Sequence, residues 1–333
     1  MKFPFIIVFS FLHQGFCQIK NWLYRLRIFK PKRPPLPVIS VGNISFGGTE
    51  KTPMAIHLLE FLVQQGLKPA LVTRGYKGKW EKKGGVLSDG KAILGSWQDS
   101  GDEPLMVALN RPDAGIFIGK NRLLSCQRAK QSGFKVAILD DGFQHRRLQR
   151  DLDIVLFDPA RKIALREPPS SLERADILLL KKHAPSQKKE IEASFPLASI
   201  FEYSVRSQGL YRVGKKEEAR IEDFKRKKVI AFCGIAWPER FVSTLKEEGI
   251  EPLCFLKFPD HHPYPASSLE RIKEKYQELG AEAILTTEKD AVKLMDKKSF
   301  NLLPIYYLKI ELELDKEFHP RLVQLLKNKS IIF

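Results

Sequence analysis

The chain has 333 residues, 43% of them hydrophobic, enough to bury one large or two medium cores. Fifty-six Lys and Arg against 39 Asp and Glu leave a net charge of +17, which calls for an anionic partner such as acidic lipid or a phosphorylated substrate. No zinc-finger, RNA-recognition or basic-zipper pattern occurs, so no nucleic acid is expected; Cys17, Cys126, Cys233 and Cys254 form no CxxC pair and suit a reducing compartment.

At the N-terminus, Phe3–Leu12 is nearly all apolar, and residues 21–30 mix Trp22, Tyr24 and Phe29 with Arg25, Arg27 and Lys30. The apolar run is too short to span a bilayer. It reads either as a signal peptide opened by Lys2 or as a helix lying in a membrane interface. No small-x-small cleavage site follows, which favours the interfacial helix and makes an anionic membrane surface an expected partner.

Next comes a stiff run, Pro34-Pro35-Leu36-Pro37, and then Val38–Val41, short and β-branched, which predicts a buried strand. Ser45-Phe46-Gly47-Gly48-Thr49-Glu50 forms a glycine-rich turn, followed by Lys51-Thr52-Pro53 and an amphipathic helix to about Gln65. Strand, loop and helix in this order are the setting of a phosphate-binding loop. Loop N–H groups would converge on phosphate oxygens, Lys51 would lie along the β- and γ-phosphates, and the Thr52 hydroxyl would ligate Mg²⁺. The bland alternative is a glycine-rich turn with a solvated lysine. Two positions depart from the usual pattern, Ser45 and Glu50, each where glycine is expected. Glu50 is the more serious, because it lacks glycine's tolerance of positive φ and brings a carboxylate towards phosphate. Its side chain is expected to turn to solvent or to a nearby lysine.

Strands are predicted at 69–73, 115–118, 136–139, 154–157 and 177–180, with helices near 54–65, 102–110 and 121–132. This alternation implies a parallel sheet covered on both faces, with active residues at the carboxyl ends of strands. The pattern restarts at Val229–Gly234, with helices at 238–249 and 267–279, strands at 253–258 and 283–286, and a short helix at 288–295. Segments 200–213 and 304–313 alternate as half-exposed strands and read as the connection. The expected fold is α/β: a P-loop-type α/β/α sandwich with a second, smaller α/β/α unit joined by a two-stranded β connection, plus an N-terminal membrane-associated helix. The divisions are 1–30 for that helix, 31–200 for the nucleotide-binding domain, 201–225 for the first connecting strands, 226–303 for the smaller domain, and 304–333 for a return strand and C-terminal helix.

Phe134–Leu139 delivers Asp140-Asp141 at a strand tip, where a phosphate-loop site holds its Mg²⁺; one carboxylate would face the metal and the other the loop. The bland alternative is a polar turn after a core strand, and the phosphate loop upstream argues against it.

Gly42-Asn43, Gly47-Gly48-Thr49, Thr73-Arg74-Gly75-Tyr76, Gly101-Asp102-Glu103-Pro104, Asp140–His145, Leu165-Arg166-Glu167-Pro168, Phe258-Pro259-Asp260-His261 and Thr286-Thr287-Glu288-Lys289-Asp290 occur in this order. Together, over about residues 20–310, they resemble the tetraacyldisaccharide 4′-kinase family of lipid A biosynthesis. The resemblance implies ATP-dependent phosphorylation of the 4′-hydroxyl of an acylated, 1-phosphorylated glucosamine disaccharide at the cytoplasmic face of the bacterial inner membrane. It implies phosphate binding by Lys51 and Thr52, Mg²⁺ held by Asp140, Asp141 and Glu167, and charge stabilisation by Arg166. It also implies an acid–base pair of Asp102 and His261, brought from opposite lobes on closure, and contacts to the sugar and its phosphate from Arg74, Tyr76, Arg122, Gln144 and His145. Without the resemblance, Asp102 could be a helix cap, His261 a solvated loop residue, and Arg166-Glu167 an exposed ion pair. Trp237 departs from the family pattern, where asparagine is expected. A membrane-associated ATPase switch of the partitioning type is the competing reading, though Phe46 stands where such loops carry an extra lysine.

Overall fold

A computed structural model describes residues 15, 17–47, 49–160, 165–182, 185–215, 217–297 and 303–332. The apolar run Phe3–Leu12 lies outside the described residues, as does Gly48. The chain divides into two compact units. The first comprises Met1–Ser100, Val107–Ser204 and Leu312–Phe333; the second comprises Gly101–Met106 and Val205–Glu311.

In the first unit, β1 (Val38–Asn43) is flanked by β5 (Val136–Asp140) and β6 (Leu152–Phe157), both parallel to it. On one side β5 pairs with β2 (Pro69–Thr73), which pairs with β4 (Gly115–Ile118); β3 (Gly85–Asp89) closes that edge antiparallel to β4. On the other side β6 pairs with β7 (Ile177–Lys181), which pairs with the start of β8 (Ser199–Arg212). Every residue of β1, β2, β4, β5 and β6 is buried, as expected of parallel strands covered on both faces. Helix α1 (Lys51–Gln64) buries Met54, Ala55, Leu58, Leu59, Phe61 and Leu62. Cys126 and Ala129 of α3 (Arg122–Gln131) join Val38, Val72, Phe117, Ala137 and Leu139 in a separate cluster. The chain leaves β1 towards β2 and later returns past it to β6, so the carboxyl ends of β1 and β5 flank the switch point where ligands bind in such sheets.

In the second unit, β10 (Val229–Cys233) lies between β11 (Cys254–Lys257) and β12 (Ala283–Thr287), and β12 pairs with β13 (Ile305–Leu314), all parallel. β9 (Glu218–Ala219) pairs antiparallel with Leu210 and Tyr211 of β8. Alternation along β10 sorts the two faces. Ile230 and Phe232 pack with Leu269 and Ile272 of α6 (Ala266–Glu278), whereas Val229, Ala231 and Cys233 pack with Phe241 and Leu245 of α5 (Pro238–Glu247). That is an α/β/α arrangement on a four-stranded scale. Helix α2 (Asp102–Asn110) contributes its first turn to this unit and its remainder to the other. In the first unit, α4 (Pro185–Ser194) leads into β8 and α7 (Phe318–Asn328) follows β13.

Candidate active site

The phosphate loop leaves β1 at Asn43. Its shape is held from both ends: Asn43 Nδ2 donates to Thr49 Oγ1 at 2.6 Å, and the Arg166 N–H donates to the Ile44 carbonyl at 2.6 Å beside a Ser45–Leu165 bridge. Gln144 Nε2 donates to the Asn43 carbonyl at 2.7 Å. Gly42 is required here, because a Cβ would lie 2.5 Å from that of Phe143. Gly47 turns the loop with φ 93°, and Glu50 follows with φ 53°, the left-handed conformation that glycine usually supplies. The Glu50 carboxylate accepts from Tyr203 Oη at 3.2 Å and lies 3.7 Å from Lys181 Nζ. Of the two expected orientations, it takes the one towards a lysine.

Helix α1 opens at Lys51, with the Met54 N–H bonded to the Glu50 carbonyl. Pro53 therefore sits in the first turn, where no intrahelical donor is needed. No acidic residue occupies that turn, so its N–H groups and the positive end of the helix dipole favour an anion.

Asp140 and Asp141 diverge, as their positions at a strand tip require. Asp140 is buried and accepts from Thr73 Oγ1 at 3.1 Å. Asp141, at φ 50°, turns to the loop: Lys51 Nζ is 3.3 Å away, and Arg166 Nη1 donates to both carboxylate oxygens at 3.0 and 2.8 Å. Burial raises the Asp141 carboxyl, but the Lys51 and Arg166 charges outweigh it and hold the group well below the usual carboxylate range. Arg166 also lies over the Phe46 ring, 5.5 Å from its centroid.

Glu167 takes other partners than these carboxylates do. It is buried and ion-paired to Arg174 at 2.8 Å, with Asn21 Nδ2 donating to the same oxygen at 2.8 Å. Among the described residues, one trio of His, Cys, Asp or Glu has ligand atoms within 4.8 Å of one another, Asp102, Glu103 and His261; Asp140, Asp141 and Glu167 do not form such a group. The hard oxygens of Thr52 and Asp140 suit Mg²⁺, with phosphate and water completing its shell, so the donor set at the loop fits that ion.

Arg74, Tyr76, Arg122 and His145 form a basic and aromatic group behind the strand ends. Arg74 pairs with Glu81 at 2.6 Å and lies 6.0 Å from the Tyr76 ring centroid. Arg122 is buried and donates to the Gly119 carbonyl at 2.6 Å; burial brings its guanidinium down to about 10, against the pull of Asp140 and Asp141. Burial lowers His145 to about 4, helped by the charges of Arg122, Lys20, Arg150 and Arg147. A neutral imidazole ringed by cations is a poor place for another cation and a good one for an anion. Gln144 differs from the others, since its amide nitrogen donates to the β1 backbone while its buried Oε1 has no protein partner among the described residues.

In the second unit, His261 Nδ1 donates to Asp102, with 3.0 and 2.9 Å to its two carboxylate oxygens. Both residues fall in the second compact unit, which takes in the first turn of α2. His261 has φ 60°, in a turn pinned by its own N–H to the Gly234 carbonyl at 3.0 Å. Two lysines that sequence reasoning assigned no role complete the cluster. Lys289 Nζ lies 2.8 Å from Glu103, 3.4 Å from Asp260 and 3.3 Å from His261 Nε2. Fully buried Lys293 bonds Asp290 at 2.8 Å and lies 3.6 Å from Asp102. Burial raises the Asp102 carboxyl, but the His261 hydrogen bond and the lysine charges outweigh it and leave it at about 2. Lys289 is held above the ordinary lysine range by Glu103, Asp102 and Asp260, against the effect of burial. The lysines supply the positive charge that a metal would bring to the Asp102–Glu103–His261 trio. Their spacing, one helical turn apart after β12, was visible in the sequence but carried no signal of its own.

A glycine-bearing loop after a central parallel strand, a lysine opening the next helix and an aspartate pair on the adjoining strand define an α/β protein of the phosphate-loop class. The family model described as tetraacyldisaccharide-1-P 4′-kinase matches residues 3–327. The chain belongs to that family. A tetraacyldisaccharide 4′-kinase of Desulfotalea psychrophila is 38% identical over 305 residues, covering 86% of each chain. One of Syntrophus aciditrophicus is 36% identical over 348 residues, covering 96% of this chain and 92% of its own. The crystal structure of LpxK from Aquifex aeolicus in complex with ATP, 30% identical, superposes over 100% of both chains with a TM-score of 0.77.

Proposed function

We propose that this protein transfers the γ-phosphoryl group of ATP to the 4′-hydroxyl of a tetraacylated glucosamine disaccharide 1-phosphate. The carrying observation is Lys51 at the mouth of α1, paired with an Asp141 that Arg166 also clamps, in a chain of this family. Lys51 and the first-turn N–H groups hold the β- and γ-phosphates. Thr52 and Asp140 would hold Mg²⁺, which would supply neutralisation of the phosphate charge. Arg166 is placed to stabilise charge on the moving phosphoryl group. As the sugar oxygen bonds to phosphorus and the bond to the ADP oxygen breaks, the hydroxyl proton passes to the Asp102–His261 pair. Arg74, Tyr76, Arg122 and His145 receive the sugar and its 1-phosphate.

Placement on an anionic membrane, at the cytoplasmic face of the bacterial inner membrane, belongs to the same proposal. Residues 17–25 are helical, and Ile19, Trp22, Leu26, Ile28 and Phe29 are exposed beside the exposed Arg25, Arg27 and Lys30. Apolar and aromatic groups among cations suit an interface. Among the described residues, no helix is long and apolar enough to cross a membrane.

Incubation with γ-labelled ATP and tetraacyldisaccharide 1-phosphate in detergent, followed by thin-layer chromatography, tests the reaction. Label in the lipid is the expected result; label released only as inorganic phosphate would mark an ATPase switch instead.

A further inference from the structure

Glu50 occupies the position before the lysine where the general phosphate-loop pattern calls for glycine, and it adopts glycine's backbone conformation. A non-glycine residue stays in the left-handed region only when its surroundings over-determine it. Here the surroundings are specific. Lys181 and Tyr203 are register partners on the adjacent parallel strands β7 and β8, so their side chains leave the same face side by side. Tyr203 is 1% exposed and reaches Glu50 Oε2 at 3.2 Å; Lys181 reaches Oε1 at 3.7 Å, with the Glu50 side chain 12% exposed. On the other flank, Thr49 is buried and bonded to Asn43 at 2.6 Å. The loop is thereby fixed on both sides of the residue that precedes Lys51.

We propose that Glu50, Lys181 and Tyr203 form a latch that shapes the phosphate loop in this chain, with Lys181 a positioning residue that acts through Glu50 and not through the nucleotide. The inference rests on the nucleotide-binding reading of the loop. An uncaptured carboxylate at position 50 would compete for the neighbouring Lys51 ammonium and repel incoming phosphate. Captured by Lys181 and Tyr203, it leaves Lys51 to Asp141, 3.3 Å away, and to phosphate.

The test is ATP binding, without lipid, to the full chain in detergent, read by displacement of a fluorescent ATP analogue. Lys181→Met is expected to weaken ATP binding by about three- to tenfold, more at low ionic strength, with kcat at saturating ATP held within about twofold. Lys181→Arg should restore most of the loss, and Tyr203→Phe should show a smaller one. In a Glu50→Gly background, Lys181→Met should have no further effect beyond about twofold, because the pair is already gone. An equal loss in both backgrounds would mean that Lys181 touches the nucleotide itself and would overturn the latch. No loss in the native background would overturn it too. If Lys181→Met fails to fold, Tyr203→Phe with and without Glu50→Gly makes the same comparison. Absent lipid phosphorylation with this binding pattern intact would count against the kinase reading and leave the latch standing.

Discussion

Asp102 and His261 meet at 2.9 Å, and both fall within the second compact unit. Burial raises the Asp102 carboxyl, but the His261 hydrogen bond and the charges of Lys289 and Lys293 outweigh it and keep it charged. The pair should therefore behave as a standing acid–base unit. Asp102→Ala and His261→Ala are each expected to cut kcat by about 10²- to 10⁴-fold with ATP binding nearly intact. The double variant should be little worse than either single one. Additive losses in steady-state kinetics would dissolve the pair.

Arg166 grips Asp141 with one guanidinium nitrogen reaching both carboxylate oxygens, and it stacks over Phe46. Lysine keeps the charge but not the flat donor fork. Arg166→Ala is expected to lower kcat by about 10²- to 10³-fold. Arg166→Lys should recover only part of this, with the KM for ATP moving less than kcat. A fully active lysine variant would show that position 166 needs charge alone.

His145 titrates at about 4, below its ordinary 6.5, because burial and four cations disfavour its proton. Between those values the unfolded chain binds the proton and the folded chain does not, so stability rises with pH across that window and is lost as pH falls from 6.5 towards 4. Above 6.5 this group adds no slope. His145→Gln should flatten denaturation curves in that window. An NMR titration should find the His145 midpoint near 4, moving upwards when glucosamine 1-phosphate supplies negative charge. A midpoint that ignores the sugar phosphate would remove His145 from the acceptor site.

Trp22→Ser with Ile28→Ser, both at exposed positions, should reduce sedimentation with vesicles of mixed zwitterionic and anionic lipid. Added salt should reduce it further through Arg25, Arg27 and Lys30. Unchanged binding would place the attachment elsewhere in the chain.

Much of this was legible in the residues. Val136–Leu139 and Val229–Cys233 are uninterrupted apolar runs and Val38–Val41 is broken by Ser40 alone, and strands buried on both faces leave that trace. Edge and surface elements left less. β3 is Gly-Val-Leu-Ser-Asp on an outer edge, and α4 carries Ile191 as its sole large apolar residue, so neither shows a periodicity to read. At the site, Lys51, Asp141 and Arg166 were expected and do meet, because a loop, a strand tip and a neighbouring bridge leave them one place to go. Glu167 and Gln144 were expected to face ligands, and their contacts in the protein, to Asn21 and to the β1 carbonyl, were not foreseen. Which way a side chain turns from a known backbone position depends on partners far off in sequence: 146 residues for Glu167 and 101 for Gln144. The same limit hid Lys289 and Lys293, which a sequence displays only as ordinary helix lysines.

Arg166 and Glu167 are neighbours in the chain that face opposite neighbourhoods. One holds Asp141 at the phosphate loop; the other holds Arg174 and Asn21 of the N-terminal helical segment, and Arg146 reaches that same asparagine at 2.9 Å. The segment is thus spliced into the polar framework under the loop. Trimming the N-terminus past residue 21 to gain solubility would take a strut from beside the chemistry as well as the foot proposed for the membrane. An inactive truncation would then be ambiguous, whereas Asn21→Ala in the untrimmed chain separates the strut from the foot.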